Sequence, residues 1–291
     1  MSKPSARGLA SVCAFWRDLK PMPELPEVET LVRELRPHLV GRRIQRVVLY
    51  APRSVATPSP AAFVRRLQGQ TVREVRRRGK FLWFVLDRGA WLVHLKMTGR
   101  LFLREDPAPD PHARADFFLD DGRVLRFSDV RRFGRLYWVP DPAPVLGGLG
   151  PEPLDPAFGP EALAERLKGR RGRLKALLLD QRVIAGVGNI YADEALWRAR
   201  LHPQRRADRL TPAEIRCLWR GLREALAAGL RHHGTTVQWY RRADGTAGEH
   251  QHYLRVYGRA GRPCPRCGTP IERLRIQGRS TYLCPFCQPL V

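Results

Sequence analysis

Apolar residues recur at Val28, Leu31, Leu35 and Leu39, a stripe of helical period that predicts an amphipathic helix from Pro26 to just before Gly41. Proline suits the first helical position, and Glu27 and Glu29 complement the positive end of the helix dipole. Beyond Gly41 the pattern shortens. Residues 44–50, 71–75, 81–86, 91–95, 100–103, 117–119, 124–127 and 136–139 read as short strands, and Asp121-Gly122 between two of them is a hairpin-turn signal. Many short strands separated by turn residues predict an antiparallel sandwich or barrel-like domain.

Residues 140–160 hold seven prolines and four glycines and read as a linker. After it the helical period returns, at 161–168, 173–181 and 188–199. The clearest helix follows Thr211-Pro212-Ala213-Glu214, a capping box with proline at the first helical position. Ile215, Leu218, Leu222, Leu226 and Leu230 form its apolar stripe and Gly234 closes it. The expected class is therefore α+β. A β-sandwich domain with a leading helix spans 22–139, the linker 140–160, a helical domain 161–256 and a small C-terminal module 257–291. Residues 1–21 show no sustained period, and their short apolar run lacks a cleavage site, so they are expected to be a non-native or disordered extension.

Four of the six cysteines carry the C-terminal module. Cys264-Pro-Arg-Cys267 and Cys284-Pro-Phe-Cys287 are two C-x2-C pairs separated by 16 residues, a spacing that brings four thiolates to one tetrahedral ion. Four protein ligands leave no open position, so one structural Zn2+ is expected. Residues 271–276 and 279–283 between the pairs read as a hairpin too small for a core of its own, folded by the metal. Its turn presents Arg279, a candidate phosphate ligand.

Charge narrows the function. Fifty-two Lys+Arg against 28 Asp+Glu give a formal +24 and a pI near 11.1, which points to a polyanionic partner, nucleic acid above all. No apolar run reaches the ~18 residues of a membrane span, and cysteine usage fits a reducing cytoplasm.

Met22-Pro23-Glu24 has the form of a start inside a longer frame. A proline exposed by methionine removal offers a secondary amine, a nucleophile unavailable from an internal proline and less basic than lysine. Glu24 and Glu27 stand beside it as candidate proton carriers. Gly186-Val187-Gly188 leads into a helix at Asn189, a candidate phosphate seat or a simple cap.

The motifs PELPEVET, RRGKFL, HLKMTGRL, DVRRFG, LGPEPL, GVGNIYADEALW, GTT and VYGR occur in this order before the cysteine hairpin. Over roughly 23–288 the chain resembles the formamidopyrimidine-DNA glycosylase family, bifunctional base-excision enzymes with AP-lyase activity. The resemblance implies a β-sandwich followed by a helix-two-turn-helix domain and a zinc hairpin. It implies removal of oxidised purines such as 8-oxoguanine and formamidopyrimidines from double-stranded DNA, then β,δ-elimination at the abasic site, by a monomer in the cytoplasm. It makes Pro23 the nucleophile, Glu24 the general acid/base, Glu27 an auxiliary carboxylate, Lys80 a participant in β-elimination, and Arg279 a group for δ-elimination and phosphate binding. It gives His112, Arg131, Arg170, Lys175 and Asn189 to DNA contact, and Met97, Arg131 and Phe133 to filling the hole left by an extruded base. Lesion reading falls to residues 237–253. Two alternatives stand: an endonuclease VIII-like enzyme for oxidised pyrimidines, and a noncatalytic zinc DNA-binding protein.

Overall fold

The computed structural model describes residues 22–106 and 108–290. The extension expected at 1–21 lies outside the described residues.

The leading helix α1 (Leu25–Leu39) buries Val28, Leu31, Leu35 and Leu39 completely or nearly so. At ~1.5–3 kcal/mol for each buried aliphatic side chain, that stripe anchors the helix to the β domain. Two sheets follow. Strands β1 (Ile44–Leu49), β7 (Ala113–Leu119), β8 (Val124–Asp129) and β6 (Gly99–Arg104) form one sheet in that spatial order. The other runs β2 (Val55–Thr57), β9 (Arg135–Val139), β5 (Ala90–His94), β4 (Phe81–Leu86) and β3 (Val72–Arg78). Alternate residues such as Leu101, Phe117 and Phe127 from the first sheet meet Phe84, Trp91 and Val93 from the second in one core, closed by α1. Phe84 stacks on Trp91 with ring centroids 4.4 Å apart.

Two features depart from the expected all-antiparallel pattern. The short strand β2 pairs parallel to β9, and helix α2 (Pro60–Leu67) packs Phe63 and Leu67 into the core. Ser59 caps α2 through its Oγ, which accepts from the Ala62 amide, and proline opens its first turn. The hairpin at Asp121-Gly122 forms as expected, with Gly122 at φ +85°.

The proline-rich 140–160 stretch is packed rather than loose. It contains a single helical turn α3 (Ala143–Leu146), whose Leu146 is buried with Ala90, Leu92 and Val139. Glu152 bonds Arg77 at 2.6 Å and Arg78 at 2.9 Å, tying this stretch back to β3.

The second core gathers α4 (Pro160–Leu167), α5 (Leu174–Leu179), α6 (Asn189–Ala199) and α7 (Pro212–Arg231). The capping box at Thr211 and Glu214 is present. The final hairpin, β10 (Glu272–Ile276) and β11 (Arg279–Leu283), adds Ile271, Tyr282, Cys264 and Cys284 to that same core. Its turn residues Gln277 and Gly278 both have positive φ, the requirement of a tight two-residue hairpin. No described helix is long and apolar enough to cross a membrane.

Candidate active site

A cleft of about 780 Å³ opens where the β domain, the helical domain and the hairpin meet. Met22, Glu24, Lys80, Met97, Asn189 and Arg279 are among its walls. Residues more than 250 positions apart in the chain thus share one cavity, and Pro23, between the lining residues Met22 and Glu24, is buried.

Glu24 is enclosed, and its carboxylate meets the N-terminus of α6. The Gly188 amide donates to Oε2 at 2.6 Å and the Ile190 amide to Oε1 at 2.8 Å. A side chain at position 188 would overlap the Glu24 carboxyl carbon, so the close approach requires glycine. These amides favour the anion, but desolvation outweighs them. Burial pushes the Glu24 carboxyl up to about 7, Lys80 pulls it down, and Glu27 raises it further. A carboxyl poised near neutrality can both give and take a proton at physiological pH.

Glu27 lies one helical turn away. Its Oε1 accepts from the Thr235 amide and from the Tyr191 hydroxyl, both at 2.7 Å, and its Oε2 accepts from the Glu24 amide at 2.8 Å. Burial raises its carboxyl as well. Glu27 is a first-turn carboxylate of α1 and, being buried, also knits α1, α6 and the segment after α7 together. Lys80 sits in the two-residue turn between β3 and β4, after Gly79 at φ +54°. It is buried, and desolvation lowers its ammonium below the usual lysine range against the pull of Glu24 and Glu27.

Met97, Arg131 and Phe133 come together at the mouth of the cleft. The Arg131 Nη1 lies 3.4 Å from the Met97 sulfur, and its guanidinium sits 4.7 Å from the Phe133 ring centroid. Phe133 is 44 % exposed, which a core phenylalanine would not be. The loop is held from beneath: Asp129 accepts from the Gly134 amide at 2.7 Å and from the Thr98 hydroxyl, and Thr98 Oγ1 in turn accepts from the Arg131 amide at 3.0 Å.

Other expected DNA contacts are placed differently. Lys175 is fully buried, with its three donors directed to Asp193 at 2.8 Å, Ser280 O at 2.9 Å and Thr281 Oγ1 at 2.8 Å. It fastens the hairpin to α5 and α6 and has no donor left for a phosphate. The α6 amides expected to seat a phosphate hold Glu24 instead, and Asn189 Nδ2 donates to Ser280 O at 3.0 Å while the residue still lines the cleft. Arg170 is exposed, with Nε donating to Arg166 O, and His112 is half-buried; neither lines the cleft. Arg279 is exposed at the start of β11 and does line it.

Three supports give no short-range signal in the sequence. Tyr191 reaches Glu27; Glu194 accepts from the amides of Arg255, Val256 and Tyr257; and Asp193 Oδ2 accepts from the Tyr282 amide at 3.0 Å. All three lie on α6 and are buried, so a polar residue inside an otherwise apolar helix was the available clue.

Cys264, Cys267, Cys284 and Cys287 place their sulfurs within 4.8 Å of one another, with Cys267–Cys284 at 3.4 Å and Cys267–Cys287 at 3.5 Å. A tetrahedral zinc at ~2.3 Å from each thiolate requires sulfurs roughly 3.8 Å apart, so the set fits that ion. A zinc ion held by these four thiolates would close the base of the hairpin and have no open coordination position for a substrate. Chelating it from the purified protein is expected to cut DNA affinity at least tenfold while the β domain's melting transition persists, read by fluorescence anisotropy and calorimetry. Because the hairpin shares the helical core, the helical domain's own transition is expected to fall.

Comparison with known proteins agrees with this geometry. Three family models match in order: the formamidopyrimidine-DNA glycosylase N-terminal domain over residues 22–136, the formamidopyrimidine-DNA glycosylase H2TH domain over 149–241, and the zinc finger found in FPG and IleRS over 261–290. The formamidopyrimidine-DNA glycosylase of Symbiobacterium thermophilum is 47 % identical over 274 residues, 92 % of this chain and 90 % of that protein. That of Geobacillus kaustophilus is 48 % identical over 92 % of this chain and all of its own length. The crystal structure of MutM (Fpg) from Thermus thermophilus superposes with a TM-score of 0.84 at 47 % identity, covering 92 % of this chain and 100 % of that one. Lactococcus lactis Fpg in complex with abasic-site DNA gives 0.85 at 33 % identity, over 91 % and 99 %. With its β domain, helical domain and zinc hairpin each matched and its full site region covered, the chain belongs to the formamidopyrimidine-DNA glycosylase family.

Proposed function

We propose that this protein, in a form beginning at Pro23, excises oxidised purines from double-stranded DNA and cuts the resulting abasic site by β,δ-elimination. Base-excision repair of oxidised purines is the activity of its family, and the DNA complexes of the Lactococcus lactis relative, one with an abasic site and one with Fapy-dG, support the substrate class. The observation that carries the assignment is Glu24. It is a buried carboxyl held near pH 7, directly after a proline that sits between two residues lining the cleft, Met22 and Glu24.

In this reading the Pro23 amine attacks the sugar C1′. The new C–N bond forms as the bond to the base breaks, and the base leaves with its electron pair and a proton. Glu24 protonates the sugar ring oxygen as the ring opens, leaving an iminium between Pro23 and C1′. That electron sink acidifies C2′; loss of a proton there expels the 3′ phosphate, and a second elimination expels the 5′ phosphate. Lys80 lies close enough to couple electrostatically with Glu24 and, with its lowered pKa, serves the first elimination. Arg279 binds the departing phosphate at the cleft rim. Glu27 holds Glu24 and the segment after α7 in register. Met97, Arg131 and Phe133 enter the stack in place of the extruded nucleotide, and the basic surface supplies sequence-independent affinity that falls steeply with salt. The enzyme acts as a monomer on DNA in the cytoplasm.

Sodium borohydride added to the Pro23-initiated protein on 8-oxoguanine DNA tests this. A covalent protein–DNA adduct mapping to Pro23 is expected. Failure to form one, with binding intact, would leave a noncatalytic DNA-binding protein; faster release of oxidised pyrimidines than purines would favour the endonuclease VIII-like alternative.

A further inference from the structure

Helix α1 carries a second carboxylate, Glu34, on the face that holds Glu27. The two are seven residues apart, two helical turns or ~10 Å. Glu27 accepts from the Thr235 amide at the start of the segment after α7. Glu34 engages the middle of that same segment with both oxygens: Oε1 with Arg242 Nε at 2.6 Å, and Oε2 with the Ala243 amide at 2.9 Å. Between them Tyr240 is 5 % exposed and, like Ala243, packs into the β-domain core rather than into the helical domain it follows in sequence. Its hydroxyl donates to His233 O at 3.2 Å, and Thr30, on the same helical face, also bonds it.

The segment is internally braced as well. The Arg242 amide donates to Thr246 O, the Gly245 amide to Arg242 O, and the Gly248 amide to Thr236 Oγ1. These bonds brace it as a formed unit, whose outer polar attachment to α1 is a partly exposed ion pair plus one amide. Beneath it, Val237, Gln238, Trp239 and Tyr240 line a space beside Met22 and Pro23 of only about 10 Å³, too small for a nucleobase. An extruded base cannot occupy this position unless the segment lifts and is set down again.

We infer that the 27/30/34 face of α1 is a rail for this segment and that Glu34 is a positioning residue for base selection. It defines the pose to which residues 236–246 return over an extruded base. Glu27 and Thr235 fix the stem beside Glu24; Glu34 and Arg242 fix the far end. This rests on the reading of the protein as an oxidised-purine glycosylase. Cleavage of a preformed abasic site has no base to enclose and needs the stem but not the far end.

The test uses the Pro23-initiated protein with Glu34→Gln, Arg242→Gln and the double variant. Single-turnover release of 8-oxoguanine is compared with strand cleavage at a preformed abasic site. Each single variant is expected to slow base release about tenfold and abasic-site cleavage less than twofold. The double variant is expected to be no worse than the singles, as for two halves of one contact. Glu34→Asp is expected to recover part of the loss. Equal slowing on both substrates would mean general structural damage and overturn the inference; so would unchanged base release in both single variants. If the unaltered protein releases no oxidised purine at all, the functional reading itself has failed, a result distinct from either.

Discussion

Protein that begins at Pro23 is expected to cut lesion-containing DNA and be trapped by borohydride, while the 291-residue chain binds the same DNA and does neither. The difference is one of bonding. With Met22 attached, the Pro23 nitrogen is part of a tertiary amide whose lone pair is delocalised into the carbonyl, and it cannot form an iminium without breaking the peptide bond. Freed, it is a secondary amine of ordinary α-amino basicity, partly unprotonated at neutral pH. The loss should therefore exceed ~10³-fold in strand cleavage, more than any side-chain deletion in the site. Met22 adds a steric reason, because it lines the same cleft as Glu24, Lys80 and Arg279, in the volume a sugar would fill. DNA affinity, set by phosphate contacts and the zinc hairpin, should change far less. Intact mass of the protein purified from its own cells, set beside single-turnover cleavage, checks the point. An active enzyme that retains residues before Pro23 would refute the role of the proline nitrogen.

Local signals in the sequence carried much of this site. The α1 stripe, the Asp121-Gly122 hairpin and the capping box at Thr211 are written in spacings of two to four residues, and each forms where expected. The zinc ligands were legible because two C-x2-C turns define a tetrahedron almost regardless of what surrounds them. Contacts between distant segments were not legible. The resemblance gives Lys175 to DNA contact, and only the fold reveals Asp193 on α6 paired with it. Removing either partner would leave a buried charge unpaired, which typically costs ~3–5 kcal/mol. Asn189 and its neighbours read as an anion seat, and the seat exists; its occupant is Glu24, 165 positions earlier in the chain. The Glu34–Arg242 pair left no trace in either local pattern. Helix α2 escapes the sequence for a different reason: eight residues with two arginines give too short a period to recognise.

Glu24→Gln in the Pro23-initiated protein is expected to lower single-turnover base release and strand cleavage by about 10²–10⁴-fold, the range for loss of a general acid/base. The amide cannot duplicate the carboxylate's contacts. Gly188 and Ile190 each direct an N–H at a separate oxygen, so the glutamine NH2 must oppose one of them, stranding a buried donor at a cost of ~1–3 kcal/mol. Activity per folded molecule, verified by circular dichroism at the assay temperature, separates the chemical loss from that destabilisation. The pH profile separates them further. Base release requires Glu24 protonated, a fraction that falls as pH rises through about 7, and the Pro23 amine free, a fraction that rises through roughly 8. Their product is a bell with its maximum near the midpoint of the two. In Glu24→Gln only the amine remains to titrate, so the residual rate should climb through roughly pH 8 and then level, with no alkaline decline. A variant that kept the full bell at reduced height would assign the alkaline limb to another group, Lys80 being the nearest alternative with a depressed pKa. A variant that lost the decline would identify the Glu24 proton as the one transferred to the opening sugar.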